Sequence, residues 1–303
     1  MADRQRRWLG LGFVILATLC WSTAGLFITL IVRGSGISAL GLAFWRVLTT
    51  SACLFVAILF VRPGLLRVKL RDLPWLAGMG ALAVGVFQVL WILSVLNVGM
   101  SVATVIQCNA PIIVTIIARI VWREPLTWRK WTAIGLACLG TFLIARPTGA
   151  GNIRITPLGL LFPLGAALAY SGITLFTKKL TRDYNAWTIL VYAFGFAALA
   201  LLPFQIGRPM PVQISGPAWA AFAGLVLLTT IGGYTSYALG LRRLQASVAS
   251  IAATIEVAFA AFIGYVFLGE RLDGGQIVGA LVVVSGVILL SRPSGRVSRA
   301  PMR

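Results

Sequence analysis

Apolar runs of bilayer-spanning length follow one another along this chain with almost nothing between them. A helix rises 1.5 Å per residue and needs roughly 20 apolar residues to cross a hydrocarbon core about 30 Å thick. Such runs fall at about 8–32, 37–61, 75–96, 101–121, 128–145, 157–178, 186–204, 217–241, 246–268 and 274–291. Ten helices of that length take up about 200–220 residues. In a chain of 303 that leaves short loops and tails, and no room for a second soluble domain. The charge content agrees: 11% of residues are Asp, Glu, Lys or Arg, against about 25% in an ordinary soluble domain.

The first run follows Arg4, Arg6 and Arg7, as the core of a signal peptide would. It extends from Trp8 to Val32, well beyond the 7–15 apolar residues of a signal peptide, and reads as a permanent first helix. Proline and glycine mark many of the joins: Pro63-Gly64, Pro74, Pro147, Pro157, Pro209, Pro211, Pro217 and Gly274-Gly275.

The formal charge of +19 would suggest nucleic acid in a soluble chain. Here the basic residues lie between spanning runs, where they set orientation. With the N-terminus inside, 19 of the 26 Lys and Arg residues fall on the cytoplasmic side. Five (Arg33, Arg146, Arg154, Arg208 and Arg271) fall on the other, and Arg46 and Arg119 lie within helices. Both termini are expected to be cytoplasmic, in a bacterial inner membrane, with no nucleic-acid partner. A reporter fused to either end and found outside the cell would overturn this.

The chain also repeats itself. At an offset of 146, Ser101-Val102-Ala103-Thr104 falls on Ser247-Val248-Ala249-Ser250, Glu124 on Glu270 and Leu126 on Leu272. Gly140 falls on Gly286, Arg146-Pro147 on Arg292-Pro293 and Gly149 on Gly295. At an offset of 149, Trp21-Ser22 matches Tyr170-Ser171 and Leu26-Phe27 matches Leu175-Phe176. Five helices per copy is an odd number, so tandem copies must face opposite ways across the membrane. The expected fold is an all-α integral membrane protein, with ten transmembrane helices as two inverted five-helix repeats. Residues 1–145 form the first repeat, 146–156 an external linker, 157–291 the second repeat and 292–303 a basic cytoplasmic tail. Inverted repeats imply a secondary transporter, with its site between the halves and alternating access to the two sides.

These residues resemble the drug/metabolite transporter superfamily in its ten-helix, EamA-type branch. The resemblance is carried by Trp21-Ser22, Phe44-Trp45-Arg46, Pro111 and the two Glu-x-Leu turns at Glu124 and Glu270. It is also carried by Glu256-Val257, where the family has Glu-Pro in helix 9; the valine puts a proline-dependent kink there in question. The resemblance implies export of small metabolites, with neutral and aromatic amino acids the leading class. An importer or exchanger of another small metabolite is the alternative, and a channel the weaker one.

Polar groups inside a membrane are costly, so their positions are informative. Helix 1 places Thr18, Trp21, Ser22 and Gly25 on one stripe; helix 6 places Tyr170, Ser171 and Thr174 on the corresponding one. Gln88 and Trp91 in helix 3, and their repeat partners Tyr234 and Tyr237 in helix 8, share a spacing of three that puts each pair on one face. Helix 4 adds Gln107 and Asn109, and helix 9 adds Thr254. Together they describe a cavity with aromatic walls, suited to an uncharged or zwitterionic solute through apolar contact and cation–π attraction. The competing reading is that they bond or pack neighbouring helices. Two charges lie at depth. Arg46 is about 13 Å along helix 2 and leans towards a structural role. Glu256 in mid-helix 9 either handles a proton, meets a substrate ammonium, or pairs structurally, with Arg46 one possible partner. Glu124 and Glu270 sit beside Arg123 and Arg271 at membrane edges, where local ion pairs or helix caps are expected.

Other chemistry is poorly supported. The chain has no His, so a His-ligated metal or His relay is excluded and no catalytic constellation is evident. No GxxxxGK[ST] phosphate loop occurs. Cys20, Cys53, Cys108 and Cys138 lie inside apolar runs and read as small hydrophobes. No cofactor, metal or enzymatic activity is expected. The expected partners are a small-molecule substrate and the lipid bilayer, with a single chain sufficient.

Overall fold

The structure is a computed structural model that describes residues 2–107, 109–144, 157–206, 215–268 and 274–291. The expected linker 146–156, the basic tail 292–303, Cys108 and the Glu270 turn lie outside the described residues. The described chain is helical, with no strand among its residues. Its helices are α1 (Ala2–Ser22), α2 (Ala24–Ser35), α3 (Ala39–Val61), α4 (Leu73–Gly78), α5 (Val86–Gln107), α6 (Ala110–Trp122) and α7 (Trp128–Ile144). They continue with α8 (Pro157–Leu180), α9 (Ala186–Gln205), α10 (Gly216–Gly224), α11 (Gly233–Leu241), α12 (Ala246–Ala253), α13 (Glu256–Leu268) and α14 (Gly274–Ser291). Among the described residues, five stretches are long and apolar enough to cross a membrane: Gln5–Ser35, Ala39–Val61, Leu70–Ser94, Ala186–Gln205 and Gly216–Leu241.

Several expected single helices are interrupted. Two π-helical segments, Met79–Gly85 and Leu225–Gly232, join α4 to α5 and α10 to α11. Their starts are 146 residues apart, the offset already visible in the sequence. The first helix breaks at Thr23 and the ninth at Thr254–Ile255, where backbone bonds tighten to the i−3 type. At each break the threonine hydroxyl donates to a carbonyl one turn back, Thr23 to Cys20 and Thr254 to Ile251, a pattern that bends helices. The ninth helix thus breaks without the family's proline. Conversely, α5 runs through the expected join at 97–100 to Gln107. That stretch, Asn97-Val98-Gly99-Met100, contains no proline to stop helical bonding. The interruption falls instead just before Pro111, at Asn109.

The packing is pairwise. α3 lies along α9, α7 along α14, α1 along α11 and α5 along α8. The last two pairs relate to each other as the sequence repeat relates its halves. The α7–α14 contact closes over Gly140: a Cβ there would lie 2.6 Å from the Gly279 carbonyl oxygen and 2.8 Å from the Val283 nitrogen. Both neighbours are backbone and cannot swing aside, so only the small residue permits this approach. Gly140→Val is expected to destabilise by about 3 kcal/mol, the upper end for overpacking. Thermal unfolding in detergent checks it, and an unchanged midpoint would mean that the two helices separate freely.

The end of the bundle that carries the N-terminus is tightly tied. Two short 3-10 turns, Pro63–Leu66 and Leu70–Asp72, cover it. Thr188 and Tyr192 donate to the carbonyls of Leu65 and Leu66, and Tyr184 donates to Asp72 at 2.7 Å. Burial and that bond push the Tyr184 phenol above its ordinary range, so it remains a donor at neutral pH. Arg123, at φ +53°, is the one non-glycine residue in the left-handed region among those described. It turns the chain so that Glu124 points back into the bundle. The Glu124 carboxylate accepts from the backbone N–H of Ala246 at 2.9 Å and of Ser247 at 3.4 Å, and from the Ser247 hydroxyl. It pairs with buried Lys130 at 3.5 Å, not with its neighbour Arg123. Glu124 therefore caps α12, a helix of the other half of the chain. From α8, Lys178 donates to the carbonyls of Leu241 and Leu244. The turn between α11 and α12 is held from both ends.

Candidate functional site

The interruptions converge on one cavity. Trp21 sits just before the break at Thr23, Gln107 just before the one at Asn109, and Glu256 just after the one at Thr254–Ile255. The π-helical segments deliver Phe87 and Tyr234, and Thr229 lies within the second of them. The cavity is lined by Trp21, Ala24, Arg46, Phe87, Trp91, Gln107, Tyr170, Thr229, Tyr234 and Glu256. Discontinuous helices and π segments both favour such positions, because they free backbone groups and re-aim side chains.

Aromatic rings form the walls. Trp21 meets Tyr234 with centroids 5.3 Å apart, Tyr237 at 5.1 Å and Tyr170 at 6.2 Å. Phe87 stacks on Trp91 at 6.2 Å and leans on Tyr170 at 5.7 Å. Trp21 is fixed from behind by α11: a Cβ on Gly233 would lie 2.5 Å from its Nε1. Gly233→Ala is therefore expected to push the indole into the cavity and cut transport severalfold at near-normal folded yield. Transport unchanged in that variant would show that the position of Trp21 is not critical.

The charged groups are held differently. Arg46 Nε donates to the Thr230 hydroxyl at 2.8 Å and its Nη1 to Gln88 Oε1 at 3.1 Å. The Thr230 hydroxyl in turn donates to the Leu225 carbonyl within the π segment. Two good bonds fix the guanidinium plane and aim its remaining edge at the cavity. Glu256 lines the same cavity, yet no ion pair joins it to Arg46 among the described residues. The pairing of Glu256 with Arg46, one expectation from the sequence, is not what the structure shows.

Of the residues singled out from the sequence, the cavity gathers Trp21, Trp91, Gln107, Tyr170, Tyr234, Arg46 and Glu256. Others lie elsewhere. Thr18, Ser22 and Thr254 donate to carbonyls one turn back in their own helices. Ser171 donates to Ala167. Thr174 and Tyr237 bond each other at 2.9 Å behind the wall. Gln88 is buried behind Arg46, and Asn109 is exposed, its amide donating to Ile106. Sequence reasoning missed Phe87, Thr229 and Ala24. The Phe87–Trp91 spacing of four, which puts two rings on one helix face, was the available signal for the first.

The cavity has a free volume of about 50 Å³. That admits a few waters but no amino acid, so the aromatic walls must part to admit a solute.

An apolar helical bundle whose helices break around a shared cavity has the architecture of a membrane transporter. The chain belongs to the EamA-like transporter family, which it matches over residues 8–146 and 157–292. It is similar to the uncharacterized transporter YwfM of Bacillus subtilis, 27% identical over 92% of each chain. It is also similar to a protein of Streptantibioticus cattleyicolor described as a probable terminal-alkyne amino-acid exporter, 26% identical over 92% of each chain. A crystal structure 18% identical in sequence shares the fold with a TM-score of 0.76, covering 93% of this chain and 96% of that one.

Proposed function

We propose that this membrane transporter exports small zwitterionic metabolites, neutral and aromatic amino acids first among them, by alternating access between two inverted five-helix halves. The observation that carries the reading is the composition of the cavity. Arg46 and Glu256, one cation and one carboxyl group, face a space walled by five aromatic rings and do not pair with each other. A zwitterion satisfies both: its carboxylate meets the guanidinium edge in a charge-assisted bond, and its ammonium meets Glu256 and the ring faces. An aromatic or apolar side chain then fills the remaining wall. The π segments and breaks, recurring in both halves, supply the hinges. The N-terminal end faces the cytoplasm of a bacterial cell in this reading, because that end gathers the basic loops. One chain holds the whole cavity, so a monomer suffices. Export rather than import is favoured by the named activity of the Streptantibioticus relative.

The test is counterflow of labelled Trp, Phe, Met and Thr by the purified full chain in liposomes, with and without an imposed pH gradient. Saturable counterflow of at least one is expected. Its absence from folded protein, with another metabolite class transported instead, would discard the amino-acid reading and leave the family assignment standing.

A further inference from the structure

A second cavity, separate from the first, opens at the N-terminal end of the bundle. It measures about 400 Å³ and is lined by Arg6 of α1, Lys178 in the last turn of α8, Thr181 and Arg182 in the turn that follows it, and Arg242 in the turn after α11. Four of its five lining residues are cationic and none is acidic. They come from three parts of the chain far apart in sequence. Orientation across a membrane needs only that basic residues lie on one side; it does not require them to converge on one concavity. Convergence is unfavourable on its own, since Arg6 and Arg182 both repel the Lys178 ammonium. Glu124, the nearby carboxylate, is already committed to Ala246, Ser247 and Lys130. Lys178 spends its donors on the carbonyls of Leu241 and Leu244, whereas Arg6, Arg182 and Arg242 are exposed. Guanidinium groups grip phosphate oxygens in pairs, and basic pockets between helices at a membrane surface suit anionic headgroups.

We propose that this cavity is an anion site for a phosphate group, carried by an anionic phospholipid headgroup or by a soluble phosphate, and held by Arg6, Arg182 and Arg242 around Lys178. An occupant there neutralises the cluster and braces Arg242, the first residue of the turn between α11 and α12. The site thus steadies the same turn that Glu124 and Lys178 hold from its two ends.

The test is thermal unfolding of the purified full chain in a nonionic detergent. Dioctanoyl-phosphatidylglycerol and sodium phosphate are titrated separately, against dioctanoyl-phosphatidylcholine and sodium chloride at matched ionic strength. The expected result is a saturable rise of several degrees in the midpoint, lost in R182Q/R242Q and kept in R62Q/R67Q, a charge-matched pair outside the cavity. All four substituted residues are exposed, so both variants should fold. A rise with phosphatidylglycerol alone identifies the lipid as the source, and one with phosphate alone the soluble anion. No rise beyond the controls, or one undiminished in R182Q/R242Q, would overturn the proposal.

Discussion

Glu256→Gln is expected to lower transport of a neutral amino acid by about tenfold or more without reducing the yield of folded protein. The substitution keeps the volume and shape of the side chain and removes only its charge and its proton exchange. A hydrogen bond to a charged group is worth about 1.5–3 kcal/mol, and each 1.4 kcal/mol is about tenfold in affinity. Folding should be little affected, because no ion pair to Glu256 exists among the described residues for the change to break. Two roles then separate by measurement. If Glu256 meets the substrate ammonium, the variant binds weakly and its residual transport still responds to an imposed pH gradient. If Glu256 carries the coupled proton, counterflow persists while the response to the gradient disappears. A variant that transports at the normal rate with the normal response to pH would sink both roles.

How far the site could be read from sequence depended on what helical periodicity can say. Trp91 and Tyr234 were legible because large rings and amides stand out in apolar runs, and Arg46 and Glu256 because charges there are costly. Stripe assignments rested on 3.6 residues per turn. Gln88–Trp91 and Tyr234–Tyr237 each lie within one regular helix, α5 and α11, so the count holds within each pair; it does not say which edge of the stripe meets the cavity, and that edge was misjudged at Gln88 and Tyr237. Both residues turn away from the cavity, and Phe87 takes the position facing it. The hydroxyls failed for another reason: Thr18, Ser22 and Thr254 satisfy themselves one turn back, a local choice that the residue type permits but does not announce. Asn109 was expected within a helix but lies at an interruption, and exposure follows from that. The break in the ninth helix was open to doubt because Val257 stands where the family has proline. Thr254 supplies the bend instead. Arg46 was read as structural, and its bonds to Thr230 and Gln88 show how it is held; Thr230 itself carried no distinguishing signal, since its acceptor role depends on the π turn around it.

Glu124→Gln should be the most destabilising of the conservative substitutions, lowering the unfolding midpoint by on the order of 10 °C. Glu124 is buried, and its carboxylate receives the first two free N–H groups of α12, the Ser247 hydroxyl and the Lys130 ammonium. Helix N-termini leave their first N–H groups without intrahelical partners and favour negative charge. An amide still accepts one of those bonds, but it leaves Lys130 buried without a counter-charge. Removing one partner of a buried pair costs roughly 3–5 kcal/mol, and each kcal/mol moves the midpoint by about 2–4 °C in a chain of 150–250 residues. The double variant Glu124→Gln with Lys130→Met removes the stranded charge and should recover part of the loss. The non-additivity then measures the pair itself. Transport should fall as well, because α12 leads through the break at Thr254–Ile255 directly to Glu256. Loosening its start alters where that carboxyl group sits and how firmly the N-terminal end holds together. A midpoint within about 2 °C of the unmodified protein, with transport intact, would show that α12 is held by packing alone and that the cap from the other half of the chain does not hold this end together.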